Sequence, residues 1–503
     1  MQYPFDERSS EPVELSDPQA HILGQCALFR DSFTFEAAEF ILRLPEGSNE
    51  DWAIDVVQSL EDVGMLVRYE PVTNHWRLCL TQLAQPVAAL ATRALTPDVR
   101  IDFKDLHARY FAAFGSETRM RSLESHGGMR TVKILALEHE NLDAAIEHAL
   151  ATNDGLLAAG AFFALSALIH LDGFSHDIVE LAENILTCPG LSFRQEARLF
   201  LEYAEALRVE GCTKRSRDAS SKALMLAEKL SDVRLEGLAK RELAVLADQQ
   251  GEPDQAMALF KEAIALHQQV GNRVQEALDT DHLGTLYVHL GQLDDARLCY
   301  EQALLLHREV GNELALATTL GNLAVVCGEA GEIGEATGLF EEAIGSHEET
   351  GTRHEESFAL GNLGELYLRT GRLIEARDHL EASVALAEQV GEEIIEGTFR
   401  GALAELDIRE GKVDSARAQV ERAESVLREA HDPQDLAKVL CRRGFIEVAE
   451  GDEQKARASL GEALALAKQV HAGSRTGVRH LCDDLEALLG KGRTLGHSAT
   501  QLS

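Results

Sequence analysis

Residues 277–311 read ALDTDHLGTLYVHLGQLDDARLCYEQALLLHREVG, and this stretch decides the fold. On both sides of Gly291 apolar residues return every three or four positions, the spacing of one helix face. Ala277–Leu290 and Leu293–Val310 therefore read as two helices. The glycine between them marks a turn that needs a left-handed or crowded backbone.

The hairpin repeats. Gly211, Gly251, Gly291, Gly331, Gly371, Gly411 and Gly451 each follow the last by 40 residues. Five residues after the last six of these stand Ala256, Ala296, Ala336, Ala376, Ala416 and Ala456. Seven further on come Ala263, Ala303, Ala343, Ala423 and Ala463, with Ser383 filling the gap. Leu243, Leu283, Leu323, Leu363 and Leu403 precede the glycines by eight. Small residues in register let two helices approach closely. Gly271, Gly311, Gly351 and Gly391 stand where a helix C-cap wants glycine. One hairpin cannot bury its apolar face alone, so neighbours must stack into a solenoid.

Leu283-Gly284, Tyr287, Gly291, Ala296, Tyr300 and Ala303 sit where the tetratricopeptide pattern has Leu-Gly, Tyr, Gly, Ala, an aromatic and Ala. Leu363-Gly364, Tyr367, Gly371 and Ala376 repeat it, with Leu380 in the aromatic's place. The chain thus resembles the tetratricopeptide-repeat family in its 40-residue variety. It departs in lacking the family's terminal proline from most units, and in placing Cys327, Asp407 and Glu447 at the tyrosine position. Upstream, Gly173 stands between two further helical segments, Leu156–Leu171 and Ile178–Leu186, as a degenerate unit. Gly477–Leu489 reads as a closing helix.

Before the array, Asp17–Phe29, Phe35–Leu44 and Asp51–Gly64 read as short helices. Met65–Tyr69 and Trp76–Leu80 read as strands around a turn at Pro71–Asn74. The wording LFRDSFTFEAAEFIL, DVVQSLEDVGMLVRYE and WRLCLTQLAQPVAALA is similar to the winged helix beyond the nucleotide-binding module of STAND-class signalling ATPases. LHARYFAAF and LEHENLDAAIEHAL resemble the helical linker that follows it in that class. The resemblance implies the sensing half of a switch without its motor. A P-loop needs GxxxxGK[ST], and Gly411-Lys412 and Gly490-Lys491 are followed by Val and Gly.

Charge and composition narrow the function. With 84 Asp+Glu against 48 Lys+Arg, the 503-residue chain carries −36. That balance argues against broad binding to nucleic acid or anionic membrane. The helix that would enter a DNA groove holds Asp51, Asp55, Glu61 and Asp62 and no basic residue. Gly155–Leu171 carries no charge but is short for a span and lacks a basic flank, so it reads as a buried helix. The eight cysteines form no CxxC pair and suit a reducing, cytoplasmic compartment. No hydrolase motif ties a nucleophile to a base, so neither enzyme activity, metal nor cofactor is expected.

The expected fold is all-α: a right-handed α-solenoid of tetratricopeptide hairpins with a small N-terminal winged-helix-like domain. Its divisions are a flexible tail at 1–16, the head at 17–96, a helical linker at 97–153, the superhelix at 154–490 and a tail at 491–503. The family resemblance implies that the first helix of each hairpin lines the inner face. There the position before Leu-Gly gives Glu242, His282, Asn322, Asn362, Ala402 and Arg442. Asn322 and Asn362 fall where the family often places an amide that reads a bound peptide. With Thr285, Glu365, Arg369, Glu405 and Arg409, and with His282, they form the candidate groove. Gly321, Gly361 and Gly401 lie beside it in helix interiors and imply a close approach by an adjoining helix or a ligand. His267, His307 and His347 sit in last helical turns, where a charged imidazole would meet the helix dipole. The expected partner is a protein or peptide, favourably one with a basic segment, bound by a non-catalytic scaffold or sensor. The rival readings are a transcription regulator acting through the head and a sensor subunit of a split ATPase.

Overall fold

The computed structural model describes residues 14–48, 52–82, 84–123, 128–172, 178–430, 432–468 and 475–490. Gly173, most of the first tail and all of the second lie outside the described residues. The chain divides into two compact units, one comprising 1–123 and 127–206, the other running from 207.

The first unit begins with α1 (Asp17–Cys26), α2 (Phe35–Ile41) and α3 (Ala53–Asp62), followed by β1 (Leu66–Val72) and β2 (His75–Leu80). Ser16 starts α1 with a capping box: its hydroxyl accepts from the Gln19 N–H, and the Gln19 side chain accepts from the Ser16 N–H at 2.9 Å. The strands pair antiparallel, Leu66 opposite Leu80 and Tyr69 opposite Arg77. Phe33 adds a one-residue bridge to Leu78. This is the expected order of three helices and a hairpin. Exposed Asp55 and Asp62 leave the outer face of α3 acidic.

Then come α4 (Ala84–Ala94), α5 (Pro97–Ala112), α6 (Glu117–Leu123), α7 (Gly128–Ala136), α8 (His139–Ala151), α9 (Gly155–Asp172), α10 (Ile178–Thr187) and α11 (Phe193–Val209). The uncharged stretch is buried as expected: Ala158, Ala161, Phe162 and Leu165 of α9 have no exposure. No helix among the described residues is long and apolar enough to cross a membrane. Within this core Arg77 is fully buried and bound to buried Glu138. Its Nη2 donates to Glu138 Oε2 at 3.1 Å and its Nε to the Ser32 hydroxyl at 2.7 Å. Arg77 Nη2 also donates to the Ser32 carbonyl at 2.6 Å and Asn141 Nδ2 to Glu138 Oε2 at 3.2 Å, so both members of this buried pair are answered.

The second unit opens with α12 (Thr213–Leu230). Six hairpins follow: α13 (Val233–Gln249) with α14 (Pro253–Gln269), α15 (Arg273–His289) with α16 (Leu293–Val310), and α17 (Glu313–Glu329) with α18 (Ile333–Thr350). The remaining three pair α19 (Arg353–Arg369) with α20 (Leu373–Val390), α21 (Glu393–Arg409) with α22 (Val413–Glu429), and α23 (Pro433–Ala449) with α24 (Glu453–Ala467). α25 (Arg475–Gly490) closes the stack, burying Val478, Cys482, Leu485 and Leu489. The periodic glycines are left-handed turns, with φ from 70° at Gly291 to 83° at Gly451. Gly284 of α15 faces the Tyr300 ring so closely that a Cβ would lie 2.8 Å from it. The Leu-Gly pair is therefore a packing signature: leucine fills the core and glycine admits the second helix's aromatic. Cys441 and Cys482, far apart in sequence, meet with their sulfurs 3.3 Å apart between α23 and α25.

Candidate functional site: the inner face of the array

Ion pairs define a shared face. Arg442 of α23 donates through Nε to Glu405 of α21 at 3.4 Å and through Nη2 to Glu365 of α19 at 3.1 Å. First helices of three successive hairpins thus present these side chains to one surface. Asn362 lies one turn before Glu365, and Asn322 holds the same register on α17, so both belong to that surface.

The eight expected groove residues do not share one fate. Asn322 and Asn362 are partly exposed, and among the described residues neither side-chain amide has a hydrogen-bonding partner in the protein. Glu365, Glu405 and Arg409 come together, but mostly with one another: Arg409 donates to Glu405 at 2.7 Å and to the Leu368 carbonyl at 2.8 Å. Arg369 is exposed and pairs with Glu329 one repeat earlier. His282 is exposed at one edge and stacks on Phe260, ring centroids 5.9 Å apart. Thr285 must be corrected: its hydroxyl lies 3.0 Å from the Tyr300 hydroxyl, inside its own hairpin. The same hydroxyl donates to the Asp281 carbonyl at 3.3 Å, so its hydrogen bonds are spent within the hairpin.

The sequence reading passed over several further residues of these first helices. Asp435 of α23 accepts from Thr398 of α21 at 2.7 Å and pairs with Lys438 at 2.7 Å. Burial opposes its charge, yet Lys438 and Thr398 outweigh it and hold the carboxyl below its usual range. Phe358, 48% exposed, and Ile394, 42% exposed, put apolar surface on α19 and α21. They share the period of Thr318 and His354, which is the signal that would have found them.

The glycine ladder splits. A Cβ on Gly361 would lie 2.2 Å from the Phe399 ring, and one on Gly401 2.8 Å from Arg442. At both, the adjoining helix makes the close approach. Gly321 meets nothing within 4 Å, so helix packing does not account for it. The histidine ladder is structural, but not through charge. His267, His307 and His347 are buried, and burial drives each down to about 4. They pack as neutral rings, so no charge reaches the helix dipole.

Cys327, Glu332 and Glu335 lie within 4.8 Å of one another, a spacing a metal could use. However, Arg297 holds both carboxylates, Glu335 at 3.0 Å, and burial lifts the thiol to about 11. A protonated thiol beside a guanidinium makes a poor metal ligand.

Comparison with known proteins bears on the fold. Residues 280–465 match the MalT-like TPR region, and residues 239–270 match a tetratricopeptide repeat. No curated protein matches the sequence. Among solved structures, a Rap protein complexed with competence and sporulation factor is 15% identical, covering 73% of this chain and 99% of that one, with a TM-score of 0.51. A STAND protein with a tetratricopeptide repeat sensor from Pyrococcus horikoshii is 14% identical, covering 84% and 67%, with a TM-score of 0.45. A tetratricopeptide repeat protein from Parabacteroides merdae is 16% identical, covering 59% and 99%, with a TM-score of 0.40. The repeat period, the left-handed glycines and the matched family models agree, and residues 239–270 and 280–465 are built of tetratricopeptide repeats.

Proposed function

We propose that the array is a non-catalytic interaction scaffold whose inner face binds a protein or peptide segment, acting as a sensor in signalling or regulation. The carrying observation is the pair Asn322 and Asn362, in register on neighbouring first helices with their amides unanswered by the protein. One amide offers both donor and acceptor, which suits peptide backbone. Neighbouring helices pack about 10 Å apart, and an extended chain covers that distance in about three residues. The two amides therefore match backbone groups of one extended segment.

The Rap protein of similar fold is a complex with competence and sporulation factor; a bound regulatory factor in the groove is the reading adopted for this chain. The net charge of −36 favours a basic segment and a salt-sensitive association rate. The acidic outer face of α3 favours a protein rather than DNA as the target of the winged-helix-like head. Eight cysteines without a disulfide fit a reducing, cytoplasmic setting. The test is affinity purification with mass spectrometry on the full chain and on an Asn322→Ala, Asn362→Ala variant. Specific partners should be captured by the first and lost by the second. An unchanged partner set refutes the groove.

A further inference from the structure

The array contains its own control for what fills the seam between neighbouring first helices. Between α19 and α21 the space beside Gly361 is taken by the Phe399 ring, three of whose atoms would lie 2.2–2.3 Å from a Cβ. Between α21 and α23 the space beside Gly401 is taken by Val439 and Arg442. Between α15 and α17 the same register holds Asp281, whose carboxyl reaches Thr319. Between α17 and α19 the two positions are Gly321 and Ala359, and nothing lies within 4 Å of a Cβ on Gly321. This seam lacks a side chain that the next seam has as phenylalanine, and it lies beside Asn322 and Asn362.

A second observation comes from one turn away. Glu355, at i−4 from Ala359, has a buried Oε2 with no hydrogen-bonding partner. Its register equals that of Asp435, which faces back across its seam to Thr398, so Glu355 faces back toward α17. The charged groups nearest it are His354, itself paired with Glu392 at 3.0 Å, and Glu392. His354 is the basic group that acts on this carboxylate, but its ring is already engaged by Glu392, and the Oε2 of Glu355 keeps no hydrogen bond.

Resting on the groove reading above, we infer that the notch between Gly321 and Ala359 receives an aromatic side chain of the bound segment, and that Glu355 receives a basic one. The Phe399 ring shows that this backbone register accommodates a phenyl group. Gly321 offers bare backbone, and Ala359, only 5% exposed, adds nothing larger than a methyl beside it, which matches an apolar ring. A segment that crosses from α17 to α19 passes the notch, and a Lys or Arg side chain is long enough to reach the one helical turn, about 5.4 Å, along α19 to Glu355. The segment is therefore read as an aromatic and a Lys or Arg separated by one residue, on the same side of the strand.

The probe is a bead-displayed library of random linear heptapeptides, screened against the full chain. Wild type should enrich an aromatic with Lys or Arg two positions away. Ala359→Phe copies the neighbouring seam and should weaken a selected peptide at least tenfold. Changing the peptide's aromatic to alanine should cost the same in wild type and nothing more in the variant. Gly321→Leu fills the notch from the other wall, so misfolding of either variant leaves the other to decide, with helical circular dichroism as the check. Glu355→Gln should abolish only the preference for Lys or Arg. Peptides enriched without aromatic preference, or bound equally by both filled variants, overturn the notch while the groove stands. An absence of enriched peptides, or full retention by the Asn322→Ala, Asn362→Ala variant, overturns the groove and the notch with it.

Discussion

Gly321 and Gly361 occupy the same register 40 residues apart, yet alanine should shift stability in opposite directions at the two sites. Both lie in helix interiors, α17 and α19, where glycine costs about 0.5–1 kcal/mol relative to alanine. At Gly321 the added methyl enters open space, so Gly321→Ala should stabilise by about that amount. At Gly361 the methyl would sit 2.2 Å from Phe399, a ring only 1% exposed with no free direction to move. Overpacking of this kind costs about 1–3 kcal/mol, which exceeds the propensity gain, so Gly361→Ala should destabilise. The assay is guanidinium denaturation followed by helical circular dichroism, with hydrogen exchange on α17, α19 and α21, because solenoid stability is largely a sum over neighbouring repeats. The clash should also be conditional. In a Phe399→Ala background, Gly361→Ala should lose its penalty, so the two changes will not add. Shifts of the same sign at both glycines, or strict additivity with Phe399→Ala, would refute the claim that the two seams differ in what fills them.

Asp279 and the head give two further tests. Burial raises the Asp279 carboxyl from 3.8 to about 7, with Arg241 only partly opposing. A folded-state value above the unfolded one means stability is lost as pH climbs from about 4 to 7. Asp279→Asn should therefore be more stable than wild type at pH 8, by at most about 4 kcal/mol, and no more stable at pH 3.5; equal melting curves at pH 8 would contradict this. In the first unit, Arg77→Met and Glu138→Gln each strand one member of a fully buried pair. Each should destabilise by about 3–5 kcal/mol, seen calorimetrically as a lower transition for that unit, and a smaller loss in the double replacement would confirm that the stranded charge is the cause.

The period was legible because a left-handed turn has a one-residue signature. Gly251, Gly291, Gly331, Gly371, Gly411 and Gly451 all have φ of 70° or more. Leucine and alanine registers were legible for a related reason, since each buried position answers mainly to its own hairpin. The groove was less legible because its positions answer to the next hairpin. Gly321 and Gly361 look alike until the residue 38 positions on is compared, Ala359 in one case and Phe399 in the other. Thr285 differs: its hydroxyl meets Tyr300 on the other helix of its own hairpin, a pairing that the 40-residue period does not reveal because Leu380 holds the aromatic's place two repeats on. The histidines repeated as faithfully as the glycines, but repetition alone could not tell a charged surface ring from a neutral buried one. Cys441 and Cys482 meet because 41 residues is nearly one period, which brings equivalent turns of adjacent elements together.

The distribution of satisfied charge along the inner face argues for where discrimination occurs. Toward the C-terminal end, Arg442 is engaged by Glu365 and Glu405, Arg409 by Glu405, and Lys438 by Asp435. A ligand drawing on any of these must first break an existing pair, and stranding its partner offsets much of what the new contact contributes. At the α17–α19 seam the amides of Asn322 and Asn362, the Oε2 of Glu355 and the space beside Gly321 have no protein bond to break. Each contact made there is counted against water alone. For a segment bound as proposed, the same chemistry would therefore contribute more affinity at this seam than one or two repeats further on. It follows that neutralising Arg442 should disturb the array's stability more than its choice of partner, whereas filling the seam should do the reverse.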